Sequence, residues 1–145
     1  MIYFVDEDVS QVRPFVTELL LRNYEVECIR DADEAFRKLS RVTACDAVII
    51  DVMLAVEFAA ESSRYTREST VEFTRTGLRL LEDLINENSA LFPRRAILFS
   101  MATSRELVAE VERISSRHSV PFLRKSEFGT PHAFGERIEA FVKSQ

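Results

Sequence analysis

The sequence predicts an α/β fold, one parallel sheet covered by helices on both faces, and three observations carry that prediction. Five short apolar runs, Ile2–Val5, Glu25–Ile29, Ala47–Ile50, Ala96–Phe99 and Pro121–Arg124, alternate with amphipathic stretches. Four of the five have a solidly apolar centre, as strands buried on both faces require. With 145 residues, 46% apolar and 30% charged, the chain suits a single compact core.

Each element has its own local reason. After the first strand, Val12, Phe15, Val16, Leu19 and Leu20 recur at helical spacing and mark a core-facing stripe. Pro14 conflicts with a helix starting at Asp8 or Val9, since it lies past the first turn; it predicts a kink or a delayed start. The second strand, Glu25-Val26-Glu27-Cys28-Ile29, alternates polar and apolar residues and therefore belongs at a sheet edge. Helix starts are signalled by Asp31 with Glu34, by Thr103 with Glu106, and by Thr130 before Pro131. The last helix carries Phe134, Ile138, Phe141 and Val142 on one face.

One segment interrupts the alternation. Ala55 to Thr76 is long, poor in core residues and rich in Glu, Arg, Ser and Thr, where connections usually take roughly 2–6 residues. The pairs Glu61/Arg64, Arg64/Glu68 and Glu72/Arg75 stand at helical spacing, so the segment is read either as an exposed helix leading into Leu78–Asn88 or as a loop.

Composition narrows function. A net charge of −5 without a dense Lys/Arg cluster argues against direct nucleic-acid binding, which draws most of its affinity from phosphate neutralisation. No apolar run approaches the roughly 20 residues of a bilayer span, and the N-terminus has no secretory pattern, so a cytoplasmic protein is expected. Cys28 and Cys45 lack CxxC spacing and read as buried reduced thiols.

In an open parallel sheet, ligands bind outside the carboxyl ends of the strands. Asp6, Glu7 and Asp8 follow the first strand, Asp51 the third, Ser100 the fourth and Lys125 the fifth. Carboxylates gathered at one edge repel one another unless a hard divalent cation lies between them, and Mg²⁺ is the natural occupant. A carboxylate nucleophile attacking phosphorus needs an ammonium and a hydroxyl on the phosphoryl oxygens, roles that Asp51, Lys125 and Ser100 fit.

The fragments Ile-Tyr-Phe-Val-Asp6-Glu7-Asp8, Asp46-Ala-Val-Ile-Ile-Asp51, Ile-Leu-Phe-Ser100 and Phe122-Leu-Arg-Lys125 together resemble the receiver domain of two-component response regulators. The resemblance spans residues 1–145, with an insertion at about 55–76. It implies a flavodoxin-like sheet of order 2-1-3-4-5 and a Mg²⁺ site formed by Glu7, Asp51 and the Met53 backbone carbonyl, with Asp6 acting through water. It also implies that Asp51 accepts phosphate from a histidine kinase or phosphotransfer protein, that Ser100 and Phe122 act as a switch pair, and that output goes to a downstream protein target. Such a protein is a phosphoacceptor rather than an enzyme in the ordinary sense.

Some positions depart from the family. Ser126 follows Lys125 where receivers usually have proline, Met101 stands where a small residue is usual, and Gly77-Leu78, which resembles the usual start of the third helix, comes only after the long segment. Two other readings remain open at this point. A degenerate receiver would keep the fold as an unphosphorylated binding module. A haloacid-dehalogenase-like phosphatase would use Asp6 as nucleophile and Asp8 as general acid/base, but would need a further acidic pair after the lysine, where only Glu127 stands.

Overall fold

The computed structural model describes residues 1–54, 64–66, 70, 75–101 and 104–145. Among them the elements run β1 (Ile2–Val5), α1 (Val9–Leu21), β2 (Val26–Ile29), α2 (Ala32–Leu39), β3 (Ala47–Ile50), α3 (Thr76–Glu87), β4 (Ala96–Ser100), α4 (Arg105–His118), β5 (Phe122–Arg124) and α5 (Pro131–Lys143). All five strands are parallel, in the order β2-β1-β3-β4-β5, so the expected order and the edge position of β2 are found.

Strand periodicity divides the core into two. Ile2, Phe4, Ala47, Ile49, Ile97 and Phe99 pack with α1 and α5 through Val12, Leu19, Phe134, Ile138 and Phe141. Tyr3, Val5, Val48, Ile50, Ala96 and Leu98 face α2, α3 and α4 through Ala35, Leu39, Leu80, Leu84, Leu107 and Val111. On the first side Phe99 stacks on Phe134 with centroids 4.8 Å apart and meets Phe15 edge-on at 5.3 Å. That aromatic cluster fixes the end of β4, one residue before Ser100.

Register brings the strand ends together. Val5 lies opposite both Ile29 and Ile50, and Ile50 opposite Leu98. The residues following β1 and β3 therefore emerge side by side.

Most caps are as expected: Asp31 accepts from the Glu34 amide at 3.0 Å and Thr130 from the Ala133 amide at 3.2 Å. The cap of α4 is not. Ser104 accepts from the Leu107 amide at 3.4 Å, one residue beyond the predicted Thr103, which lies outside the described residues. The expected delay at Pro14 is also absent: α1 starts at Val9, capped by Asp8, and runs through the proline. A proline there only removes the amide that the Ser10 carbonyl would otherwise accept from. Cys28 and Cys45 are free, as expected, but half-buried rather than buried, and they pack on opposite faces of the sheet.

The inserted segment needs the largest correction. Its described residues include Tyr65, Thr70 and Thr76, all buried, so these three belong to the interior although the segment reads as poor in core residues. Each of its three charge pairs has one residue outside the described set, and of the stretch read as helix or loop the described residues 64–66, 70 and 75 are not helical. α3 itself starts at Thr76, two residues before the predicted Leu78.

Gly77 shows why the third helix starts where it does. Its amide donates to the Val52 carbonyl at 2.8 Å, and a Cβ there would sit 1.9 Å from the Asp51 carbonyl oxygen. The atoms it would meet are all backbone of Asp51 and Val52, so nothing soft can yield. Gly77→Ala should therefore lower the unfolding free energy by about 2 kcal/mol or more. Denaturant titration with the m-value held in common checks this, and an unchanged midpoint would contradict the packing described.

Candidate functional site

The carboxyl edge of the sheet holds a cleft of about 230 Å³ whose lining includes Asp6, Glu7, Asp51, Met53, Ser100 and Lys125. Except for Phe122, it thus gathers every site residue expected from the sequence. Asp6 follows β1 and is 2% exposed. Its Oδ1 accepts from the Asp8 amide at 2.9 Å, and its Oδ2 accepts from Lys125 Nζ at 2.7 Å. Asp51 follows β3 and is 7% exposed. Its Oδ1 accepts from the Met53 amide at 3.2 Å, its Oδ2 lies 3.6 Å from Lys125 Nζ, and the Ser100 hydroxyl donates to the same carboxylate.

One ammonium is thus shared by two buried carboxylates. Lys125 Nζ also lies 5.5 Å from the Phe99 ring centroid, so the aromatic cluster under β4 supports the cation as well as the strand. The residue reaches the cleft through a 3-10 turn over Lys125–Glu127, and the Lys125–Ser126 bond is not cis.

Burial is the main cause that pushes the Asp51 carboxyl up to about 6, and the neighbouring Asp6 charge adds to it. Lys125, the Met53 amide and the Ser100 hydroxyl pull the other way without overcoming burial. Asp8 behaves differently. The Ser10 hydroxyl and then the Gln11 amide hold it below its ordinary value, as befits an exposed helix cap. That is the wrong direction for a general acid, and Glu127 faces Arg124 at 4.0 Å rather than the cleft.

The donor chemistry fits a hard cation. Four carboxyl groups, Asp6, Glu7, Asp8 and Asp51, line a cleft with one ammonium, Lys125. No three acidic, His or Cys side chains among the described residues converge as a closed metal cage, and Lys125 lies between Asp6 and Asp51. The expected set of Asp6, Glu7, Asp51 and the Met53 carbonyl is therefore not preassembled side chain to side chain. Its oxygens suit an open site completed by water, the usual habit of Mg²⁺.

Phe122 lies away from the cleft, half-buried on the α2–α4 side opposite Leu98, with the Arg124 guanidinium 5.9 Å from its ring centroid. Met53 and Met101 flank the cleft opening, and Met101 is 53% exposed. Sequence reasoning missed two contributors: Gly77 behind the Asp51 carbonyl and Phe99 beneath Lys125. Only Gly77 left a signal, as a glycine opening a helix.

No family model matches the sequence, and no curated protein matches it. Solved structures do match the fold. A response regulator receiver domain protein from Methanospirillum hungatei is 19% identical with a TM-score of 0.68, covering 99% of this chain and 93% of that one. The receiver domain of NtrX from Brucella abortus is 19% identical at 0.67, with 100% of both chains covered. A Francisella response regulator receiver domain is 18% identical at 0.65, covering 99% and 96%. The fold is therefore that of response-regulator receiver domains, a flavodoxin-like sheet of order 2-1-3-4-5.

The raised Asp51 carboxyl has a consequence for stability. Its folded value of about 6 lies above its ordinary 3.8, so folding takes up a proton between those pH values. Metal-free protein should lose stability as pH rises from 4 to 7. Asp51→Asn removes that charge and should stabilise the chain by about 2–3 kcal/mol at pH 7.5, a gain that fades below about pH 4. Thermal melts in chelator across that range test it, and a destabilised variant at pH 7.5 would refute the assignment.

Proposed function

We propose that the chain is a phosphoryl-accepting signalling switch of the two-component or phosphorelay type, with Asp51 as acceptor. The observation that carries this reading is the convergence of Lys125 and the Ser100 hydroxyl on the Asp51 carboxylate at the end of a central strand. A phosphoryl group carried there would meet an ammonium and a hydroxyl where its charge develops. A degenerate module has no need of three buried polar groups at one point. The phosphatase reading is disfavoured because Asp8 is a cap and Asp6 is held by Lys125.

In this reading Asp51 attacks the phosphorus of a phosphohistidine on a kinase or phosphotransfer protein. One O–P bond forms as the N–P bond breaks, and the imidazole leaves and takes a proton from solvent. Mg²⁺, held by Glu7, Asp51 and the Met53 carbonyl with Asp6 in support through water, would supply charge neutralisation on the phosphoryl oxygens. Lys125 orients the acceptor and balances the added charge. Ser100 donates to the phosphoryl oxygen instead of the carboxylate, and the space this opens is taken by Phe122, which changes the surface presented to a downstream protein.

The test is beryllofluoride with Mg²⁺, followed by NMR of the intact chain. A saturable response is expected in the wild type and none in Asp51→Asn. A wild-type chain that does not respond would exclude the reading.

The flanking side chains also set the lifetime of the phosphorylated state. Hydrolysis needs an in-line water, and the Met53 thioether orients one poorly. Slow self-dephosphorylation is expected, with Met53→Asn accelerating it several-fold and Met101→Ala speeding loading from small donors. Decay of radiolabelled phosphoprotein measures the first, and an unaltered rate in Met53→Asn would place control of the water elsewhere.

A further inference from the structure

We propose that Arg64 and Tyr65, in the inserted segment, are positioning residues for the acceptor loop, clamping the insertion onto α2 and α3 so that residues 51–54 hold their shape. The inference deepens the proposed function and rests on it for its meaning, though its structural claim stands by itself.

Tyr65 is 1% exposed and belongs to the core that α2 and α3 share with the sheet. Arg64 beside it touches both helices. Its amide donates to Asp33 Oδ1 at 3.0 Å and its guanidinium lies 3.9 Å over the Phe36 ring, both on α2. Its Nε donates to Asp83 Oδ2 at 3.1 Å on α3. Asp83 is a buried carboxylate that also pairs with Arg79, which stands farther off at 3.6 Å. Removing Arg64 would leave that charge poorly matched, a costly change for a buried group.

From this clamp a run of hydrogen bonds leads to the acceptor. The Thr66 carbonyl accepts from the Thr70 amide at 3.1 Å and the Thr70 hydroxyl at 2.6 Å. The Thr70 carbonyl in turn accepts from the Arg75 amide at 2.9 Å. Two residues on, the Gly77 amide donates to the Val52 carbonyl at 2.8 Å, with the glycine pressed against the Asp51 carbonyl. Val52 and Leu54 are buried under the same helix, while Met53 between them turns its side chain to the cleft. The carbonyl assigned to the cation thus lies on a loop whose far support is Arg64 and Tyr65. A segment that only decorated the surface would have no such path.

The experiment compares the wild-type chain with Arg64→Ala, Arg64→Lys, Tyr65→Phe and, as control, Arg79→Ala, which loses a different Asp83 partner without touching the run of bonds. Amide hydrogen exchange in chelator is read at Gly77 and Met53. Arg64→Ala should speed exchange there by about tenfold while the core amides of Ile49 and Leu98 stay unchanged, as a local opening requires. Arg64→Lys should restore part of the protection, Tyr65→Phe, which removes the hydroxyl that pairs with Asp83, should speed exchange at both sites by less than Arg64→Ala does, and Arg79→Ala should leave both sites as in the wild type. The Arg64 side chain is half exposed, so its replacement is not expected to unfold the chain. Unchanged exchange at Gly77 and Met53 in Arg64→Ala overturns the inference, and so does an equal rise in the core amides. Mg²⁺ affinity is measured on the same samples. A wild type that binds none refutes the acceptor reading alone, whereas several-fold weaker binding in Arg64→Ala, with protection lost, supports both.

Discussion

Two carboxylates buried side by side with one ammonium between them is the constraint on which the rest of this structure depends. Asp6 and Asp51 cannot move apart, because Val5 and Ile50, the residues before them, are opposed in adjacent parallel strands. Nor can they escape to solvent, since both are nearly inaccessible. Lys125 meets the pair at 2.7 and 3.6 Å, which is close enough to make the arrangement tolerable but leaves Asp51 raised to about 6. The fold therefore maintains at the end of a central strand a group that would be more stable neutral, an excess that a bound divalent cation would relieve. A destabilised polar cluster retained against its own electrostatics is characteristic of a functional site.

The surrounding architecture serves to hold that cluster in place. Lys125 is supported from below by Phe99, which is locked by Phe15 and Phe134, so α1 and α5 reach the cleft through three aromatic rings. Asp51 is supported from the side by Gly77, which only a residue without a Cβ could manage. The α2 and α3 helices are tied in turn by Asn88, whose amide donates to the Leu39 and Val42 carbonyls at 2.9 Å each and so caps the end of α2. Each support acts on backbone or ring, and none occupies the cleft.

The parts of this arrangement legible in the sequence are those with a periodic or positional signature. Strands read as apolar runs, the edge position of β2 read from its alternation, and the carboxyl-end rule places Asp6, Asp51, Ser100 and Lys125 together. What escaped is what has no periodicity. Tyr65 sits alone among polar residues, and nothing in a one-dimensional pattern distinguishes a single core tyrosine from a surface one. Pro14 was expected to kink the first helix or delay its start, and the delay did not occur because tertiary packing of Val12 and Leu19 outweighed one lost hydrogen bond. The α4 cap moved by one residue because Ser104 and Thr103 are equally able caps, and sequence alone does not choose between them.

The two faces of the sheet are braced unequally, and this bears on where a change at the cleft can travel. On the α1–α5 side Arg22 is a hub, bonded to Glu18 at 3.0 Å within α1 and to Glu139 at 2.6 Å on α5, with Gly135 leaving room for it. Together with the stacked rings, this joins two helices into one block. On the other side α4 meets the sheet through Leu107, Val111 and Ile114, and its ion pairs include the exposed contacts Arg113–Glu110 within the helix and Arg124–Glu112 toward β5. Apolar side chains slide more easily than a half-buried ionic hub with several partners breaks, because dispersion contacts can be re-formed after a small shift while the paired charges of the hub must separate together. Ser100 and Phe122 both lie on β4 and β5, between the rigid block and α4. In the proposed switch, a displacement starting at Ser100 would therefore travel toward α4 rather than into α1 and α5. The proposed clamp of Arg64 and Tyr65, on the same side of the sheet as α4, would then keep α2 and α3 from absorbing it.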